Sequence, residues 1–433
     1  MSKKILCNPL NIDYKFQHIK SGHAAFREAA DPTLILFKGR YYLFPSMSAG
    51  FWHSEDLVNW KFHENRNLPI CDYALDVRQI GDYMYFCASR MHESSTFYRT
   101  KDPFADRYEV VSSPFPFWDP HMFMYGNWWY TGTMTISMHH LFERRIGLFP
   151  AGFDDDGNMY CNQNFADYPL EIPESKFDPW SIGPRWMLLS YKKPVISSSY
   201  VGGHPASYAV DENVKTWWCA AGKENGEFLT VDLEKVQDVY AVQINFAEEG
   251  VPAKSYPDAQ YIYRKVIDTD PGYTRYLLEG SADGEKWEVL ADKRDVQTDL
   301  SHDLIVFEEK KSIRFVKITG FGMPLDQRMA IAGLRVFGIG QGEKPAKAEG
   351  VQAVFTGDMD VLVQWEKVPG AVGYNVRYGH AADKLYHSWL VYEQNELTLT
   401  TVVAGKDYYV CVDSFNETGI TKGNAVKVIA RRT

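Results

Sequence analysis

A hydrophobic hairpin that returns every 40 to 50 residues leaves this chain few choices of fold. Residues 30–46, ADPTLILFKGRYYLFPS, read as two short strands joined at Lys38-Gly39. Leu34 and Leu36, then Tyr42 and Phe44, alternate with the period of a half-buried strand. A related unit begins at Asp76 and continues VRQIGDYMYFCAS, turning at Gly81-Asp82. A third begins at Asp119, DPHMFMYGNWWYTGT, turning at Gly126-Asn127. Each unit sets a carboxylate just ahead of a hairpin. Hairpins at this spacing predict β-propeller blades. Successive blades aim their inner strands at one central cleft, so Asp31, Asp76 and Asp119 are expected to meet there.

Composition narrows the partners. The 433 residues carry a net charge of −10, which argues against nucleic acid or an anionic membrane and suits a neutral substrate. No apolar run approaches membrane-spanning length, and a soluble chain with real cores is expected. The 27 Tyr, 25 Phe and 12 Trp fit sugar recognition, although β-rich proteins are aromatic in any case. The start, MSKKILCNPLNIDY, lacks a signal-peptide pattern, and the six cysteines form no CxxC pair. A cytoplasmic chain with free thiols and no organic cofactor is the expectation.

The first 190 residues resemble glycoside hydrolase family 43 in Ala30-Asp31-Pro32, Ala74-Leu75-Asp76-Val77, Asp119-Pro120-His121 and the run 131–169. The resemblance implies a five-bladed propeller with acids lining its funnel. It makes Asp31 the catalytic base and Asp119 the modulator of the general acid's pKa. Asp76, Trp118 and His139 become substrate-facing, with His139 or His140 near a bound cation on the axis. The chain departs from the family after Asp119, where the blade opened by a Glu-Gly-Pro-like general-acid motif is missing. Only 73 residues (192 − 119) separate Asp119 from the next domain. An incomplete propeller is therefore expected, with open edges that invite self-association. Glu143, in HHLFERR, is the nearest remaining carboxylate, but two flanking arginines favour its charged form, the wrong direction for an acid. Asp154-Asp155-Asp156-Gly157 imitates a calcium loop without the rest of the pattern and is expected to be a hairpin turn.

Residues 192–341 resemble a discoidin-like jelly roll, the fold of family 32 carbohydrate-binding modules. The resemblance rests on Ala209-Val210-Asp211-Glu212-Asn213, Thr216-Trp217-Trp218, FLTVDL, LEGSADGEKW, RFVKI and GLRVFG. It implies a structural Ca²⁺ on Asp211, Asn213 and Thr216. It also implies sugar stacking on Trp217 and Tyr256, with one of Trp217 and Trp218 in the core. The insert 250–273 is expected to be a long surface loop. After a Gly/Pro linker, residues 342–433 resemble a fibronectin type III sandwich in VLVQW, YNVRY and YYVCV. Trp365 would lie in its core and Tyr408 or Tyr409 at its corner. The expected fold is all-β: an incomplete five-bladed-type propeller (1–191), a discoidin-like sandwich (192–341) and a fibronectin type III sandwich (342–433).

Two functions follow. One is inverting hydrolysis of arabinofuranosides or xylosides, which needs a base and a protonated acid about 6.5–9.5 Å apart. The other is non-catalytic binding of an oligo- or polysaccharide through the second domain.

Overall fold

The computed structural model describes residues 4–19, 25–27, 29–46, 50–65, 73–89, 95–115, 129–136, 143–157, 159–175, 177–256, 265–400 and 402–429. The chain is all-β. Two antiparallel four-stranded sheets come first. One contains Ala30–Phe37, Arg40–Ser46, Gly50–Ser54 and Lys61–Glu64; the other Tyr73–Ile80, Tyr83–Ser89, Ser95–Thr100 and Glu109–Phe115. In each, every strand bonds to the next in sequence, an up-and-down meander. The tight turns fall at Lys38-Gly39 and Gly81-Asp82, and Gly39 (φ 77°) takes the left-handed conformation that glycine adopts without strain.

Strand alternation then decides the packing. Tyr42, Phe44 and Phe51 of the first sheet close on Leu75, Val77, Met84 and Phe86 of the second, all buried. Leu43 and Trp52, on the opposite face, pack against Leu10, Ile12 and Tyr14 of the lead-in segment and against Ile146 and Leu148. The first sheet is thus covered on both sides. Its Ser-acid-acid-Leu-x-x-Trp stretch is a hydrogen-bonded turn. Ser54 Oγ accepts from the Leu57 N–H, Asp56 Oδ1 from Val58 and Asn59, and Trp60 Nε1–H donates to the Leu57 carbonyl.

A three-stranded sheet follows, Trp129–Ile136, Glu143–Phe153 and Met159–Cys161, and the first of these strands lies beside Ala30–Phe37. The hairpin expected about Gly126-Asn127 lies outside the described residues, as do Trp118, Asp119, His139 and His140. Glu143 is placed by its backbone opposite Ile136. Asp154 to Gly157 is a hairpin turn, closed by the Gly157 N–H on the Asp154 carbonyl (2.9 Å), and Lys384 of the third domain binds both Asp154 and Asp156.

The second domain is built on two long antiparallel strands, Phe228–Phe246 and His302–Gly322, flanked by Ala330–Ile339 and Arg275–Ser281. Breaks of register after Asp232 and Val239 let these strands bend around a core that includes Leu229, Val231, Ile244, Val316 and Val336. Met187–Leu188 already belongs to this sheet, pairing with Phe337 and Gly338.

One expectation is overturned here. The insert 250–273 is not simply a surface loop, because Lys265–Ile267 pairs with Gln17–Ile19 of the lead-in segment, and Val266, Ile267 and Asp268 are buried. An insert rich in Pro and Tyr is visible in sequence; a strand partner some 250 residues away is not.

The third domain is a two-sheet sandwich. Gln352–Phe355, Val361–Gln364 and Glu396–Leu399 form one sheet; His387–Tyr392, Gly373–Gly379, Tyr409–Asn416 and Gly419–Thr421 form the other. Trp365 and Tyr408 are buried, and the Tyr408 hydroxyl accepts from the Val403 N–H at 2.9 Å.

Buried charges join the first two domains. Arg335 donates to Glu212 (2.8 Å), Asp167 (2.9 Å) and Gln243 (3.0 Å). Arg27 bridges Glu248 (3.2 Å), Asp299 and the Tyr14 carbonyl (2.8 Å). Beside it Arg145 Nε donates to His302 Nε2 (3.1 Å), which leaves the proton of the neutral ring on Nδ1, facing Asn245 Oδ1 at 2.9 Å. Burial, with Arg145 and Arg27 adding to it, holds His302 well below the ordinary imidazole range.

The unfolded chain therefore binds the proton more readily. The stability contributed by neutral His302 is complete above its unfolded pKa of about 6.5 and drains as pH falls, at no more than about 1.4 kcal/mol per pH unit. The expected outcome is a denaturation midpoint that drops between pH 7.5 and 5.5, and a shallower drop in His302→Gln. Parallel denaturant titrations at the two pH values check this.

Candidate functional site

Two places in the fold gather the candidate residues. The first is the mouth of the paired sheets. Asp31 sits at φ 46°, an uncommon conformation for a residue with a side chain, where the strand slips register between Ala30 and Thr33. Its carboxylate accepts from the Ser46 hydroxyl (3.0 Å), and Ser46 Oγ in turn accepts from the Ala74 N–H (2.8 Å). Thr33 Oγ1 donates to the Leu75 carbonyl (2.6 Å), so the inner strands of the two sheets are stitched together at this end.

The second sheet repeats the irregularity between Tyr73 and Asp76, with Ala74 at φ 49°. Aligned on this feature, the counterpart of Asp31 is Ala74, and Asp76 corresponds to Thr33. Asp76 lies deeper, buried and paired with Arg78 at 3.0 Å. The structure thus brings Asp31 and Asp76 to adjacent strands at different depths. Trp118, Asp119 and His139 lie outside the described residues.

The second place is one end of the discoidin-like domain. Trp218 is fully buried and its Nε1–H donates to the Ser199 carbonyl (2.9 Å), so it is the core tryptophan. Trp217 is only half-buried. Its ring lies against the His204 imidazole (centroids 4.5 Å, 32° between planes), and its Nε1–H donates to Glu249 Oε2 at 3.0 Å. His204 Nδ1–H donates to the Trp217 carbonyl at 3.2 Å, fixing the imidazole beside the indole. Tyr256 lies against His18 (5.4 Å) rather than loose in solvent. His18 Nδ1 accepts from the Lys254 N–H (3.2 Å) while its Nε2–H donates to Asp268 (2.9 Å). Burial works against the Asp268 charge, but hydrogen bonds from His18 and Lys254 outweigh it and hold this carboxyl well below the usual range.

Next to Trp217 the 211–216 loop folds its oxygens inward. Thr216 Oγ1 lies 2.7 Å from Asp211 Oδ2 and 2.9 Å from the Asn213 carbonyl, while Asp211 Oδ1 accepts from the Asn213 N–H. Burial pushes the Asp211 carboxyl above its ordinary value. Among the described residues no three His, Cys, Asp or Glu side chains are placed together to hold a metal ion. The donor set is therefore one carboxylate with hydroxyl and carbonyl oxygens, which suits a hard, oxygen-seeking cation and no thiolate- or imidazole-seeking metal. The adjacent Glu212 is turned away to Arg335.

Sequence reasoning missed His204, Glu248 and Glu249. The alternation in VQINFAEEG puts Glu248 in phase with Ile244 and Phe246, and an acid in a core phase was the available signal. His204 sits in a Gly-Gly-His-Pro turn with nothing local to mark it.

Residues 194–265 match the F5/8 type C domain. No curated protein matches the chain. Among solved structures it is similar to CpGH89CBM32-4 of Clostridium perfringens, in complex with GlcNAc-α-1,4-galactose, at 16% identity and TM-score 0.28, covering 35% of this chain and 94% of that one. The family 32 module of C. perfringens NanJ, in complex with galactose, is 20% identical at TM-score 0.27, covering 35% and 98%. A glycoside hydrolase is 15% identical at TM-score 0.29, covering 72% of this chain and 70% of that one. Likeness at this level assigns neither a ligand nor an activity.

Proposed function

We propose that this protein binds a neutral oligosaccharide at the end of its F5/8 type C domain, on the surface made by Trp217, His204 and Glu249. The observation that carries the proposal is the contrast within one dipeptide. Trp218 is consumed by the core, whereas Trp217 is held at the surface with its ring backed by an imidazole and its N–H anchored to a carboxylate. A ring fixed in this way offers its π-face to the C–H face of a sugar at little cost in side-chain entropy. Glu249 and the net charge of −10 disfavour acidic glycans. Retention on immobilised neutral glycans in affinity electrophoresis, lost in Trp217→Ala, supports the assignment; retention unchanged by that substitution sinks it.

The Asp211 loop is proposed to hold Ca²⁺ through Asp211, Asn213 and Thr216. Burial desolvates the Asp211 carboxylate by more than Lys192 and its hydrogen bonds offset, which works against folding at neutral pH, and a bound divalent ion would reverse that sign. Adding millimolar CaCl2 to chelator-treated protein is expected to raise Tm by a few degrees, at about 1–3 kcal/mol of linkage, and Asp211→Asn to abolish the rise. A Tm indifferent to Ca²⁺ removes the ion from the account.

A second function is favoured by one observation, the strained backbone of Asp31 at the mouth of the paired sheets, since such strain collects at working sites. In it Asp31 activates water for inverting hydrolysis of an arabinofuranoside or xyloside, the blade-like sheets being those of a shortened family-43-type propeller and the third domain a fibronectin type III spacer. Release of nitrophenol from aryl glycosides that disappears in Asp31→Asn establishes hydrolysis; no release from any sugar by folded protein leaves glycan binding alone.

A further inference from the structure

The segment carrying Glu249 is gripped from behind by the first domain. Phe228–Phe246 runs out into Ala247, Glu248 and Glu249, and the two acids point to different partners. Glu249 accepts from Trp217 at the surface. Glu248, 3% exposed, turns inward to Arg27 Nη1 (3.2 Å) and Arg145 Nη2 (3.5 Å), both from the first domain and both buried. Arg27 is itself fixed by the Tyr14 carbonyl, Asp299 and the ring of Phe16 beneath it (4.4 Å). A few residues on, His18 and Asp268 hold the same stretch again at Lys254, and Gln17–Ile19 pairs with Lys265–Ile267.

We infer that the first domain is a positioning element for glycan recognition. Arg27 and Arg145 act through Glu248 to set Glu249, and through it the plane of the Trp217 ring. This rests on the glycan surface proposed above. The physical reason is geometric. A planar guanidinium that serves three partners at once fixes its carboxylate in direction as well as distance, and at this depth water cannot replace it. One residue further along an extended chain, that constraint falls on the carboxylate the indole must meet. The discoidin-like domain is then not an autonomous module, and its affinity depends on Arg27 and Arg145, which lie 221 and 103 positions before Glu248 in sequence.

The test uses the full chain and two readouts. One is the Trp217 indole N–H resonance, assigned with Trp217→Phe, which reports the bond to Glu249 without any ligand. The other is the dissociation constant for whichever neutral oligosaccharide the parent retains. Glu248→Gln keeps the shape and removes the charge. Arg27→Lys keeps the charge and removes the three-way geometry, and it serves if the first variant fails to fold. Tyr168→Phe, which loses a partly buried hydrogen bond to Tyr392 at the seam with the third domain, is the control for general destabilisation.

Glu248→Gln and Arg27→Lys are each expected to shift the indole resonance and weaken binding about five- to tenfold, while Tyr168→Phe lowers Tm and moves neither readout. A resonance and an affinity unchanged in both charge-network variants overturn the inference, and they do so even if Trp217→Ala abolishes binding and the glycan surface stands. If Trp217→Ala binds like the parent, the surface itself is misplaced; the ligand-free resonance still decides whether the first domain sets Glu249.

Discussion

Replacing Arg335 by methionine is expected to cost about 3–5 kcal/mol of stability, the scale of a buried ion pair with one partner removed. Arg335 is 4% exposed and its guanidinium is filled on every side by Glu212, Asp167 and Gln243. Asp167, its side chain 34% exposed, belongs to the first domain and can turn to water once released, whereas the Glu212 side chain is only 9% exposed. Burial already pushes its carboxyl above the ordinary range against the pull of Arg335. Without the arginine that push is unopposed, so the variant folds best with Glu212 protonated.

The sign follows from linkage. A carboxyl whose folded pKa is raised above its unfolded value of about 4.5 gains stability as pH falls. The gap between variant and parent should therefore narrow from pH 8 toward pH 5. Denaturant midpoints at both pH values measure this. Adding Glu212→Leu to Arg335→Met should recover much of the loss, because an apolar pair of similar volume leaves no orphan charge.

Trp217 and Trp218 should give opposite results on the same substitution. Trp217→Ala removes a half-buried surface ring. It is expected to leave cooperative folding intact and to cost at least about 2 kcal/mol in glycan affinity, roughly 30-fold, the size of an aromatic anchor at a binding surface. Trp218→Ala empties the core beside Leu229 and Val231 and should cost about 3–5 kcal/mol of stability. Melting curves and binding isotherms on the two variants separate a recognition residue from a packing residue one position apart.

Local signals carried much of this fold. The hairpins at Lys38-Gly39 and Gly81-Asp82 came through because turn residues and strand alternation are nearest-neighbour physics. The hairpin turn at Asp154-Asp156 was legible for the same reason, whereas the buried tryptophans Trp365 and, as one of a pair, Trp218 were read through the motifs that carry the resemblances. What stayed hidden is what depends on distant partners. Nothing around Gln17 or Val266 announces that the two strands pair, and nothing around Arg27 or Arg145 marks them as buried. The equivalence of Asp31 with Ala74 rather than Asp76 is a matter of two residues of register. A sequence repeat aligned on its acids erases that offset, and the hydrogen-bonded ladder restores it. On the candidate surface, Trp217 was visible through its motif, while Glu249 acquires meaning only once Phe228–Phe246 is seen to end beside the indole.

The measurement that bears most directly on the account is a titration of the full-length protein with neutral oligosaccharides, following the Trp217 indole N–H resonance. The account predicts a saturable shift of that resonance with at least one sugar, and loss of the same binding in Trp217→Ala while the fold persists. Binding that leaves the Trp217 resonance still, or that survives Trp217→Ala, would contradict it.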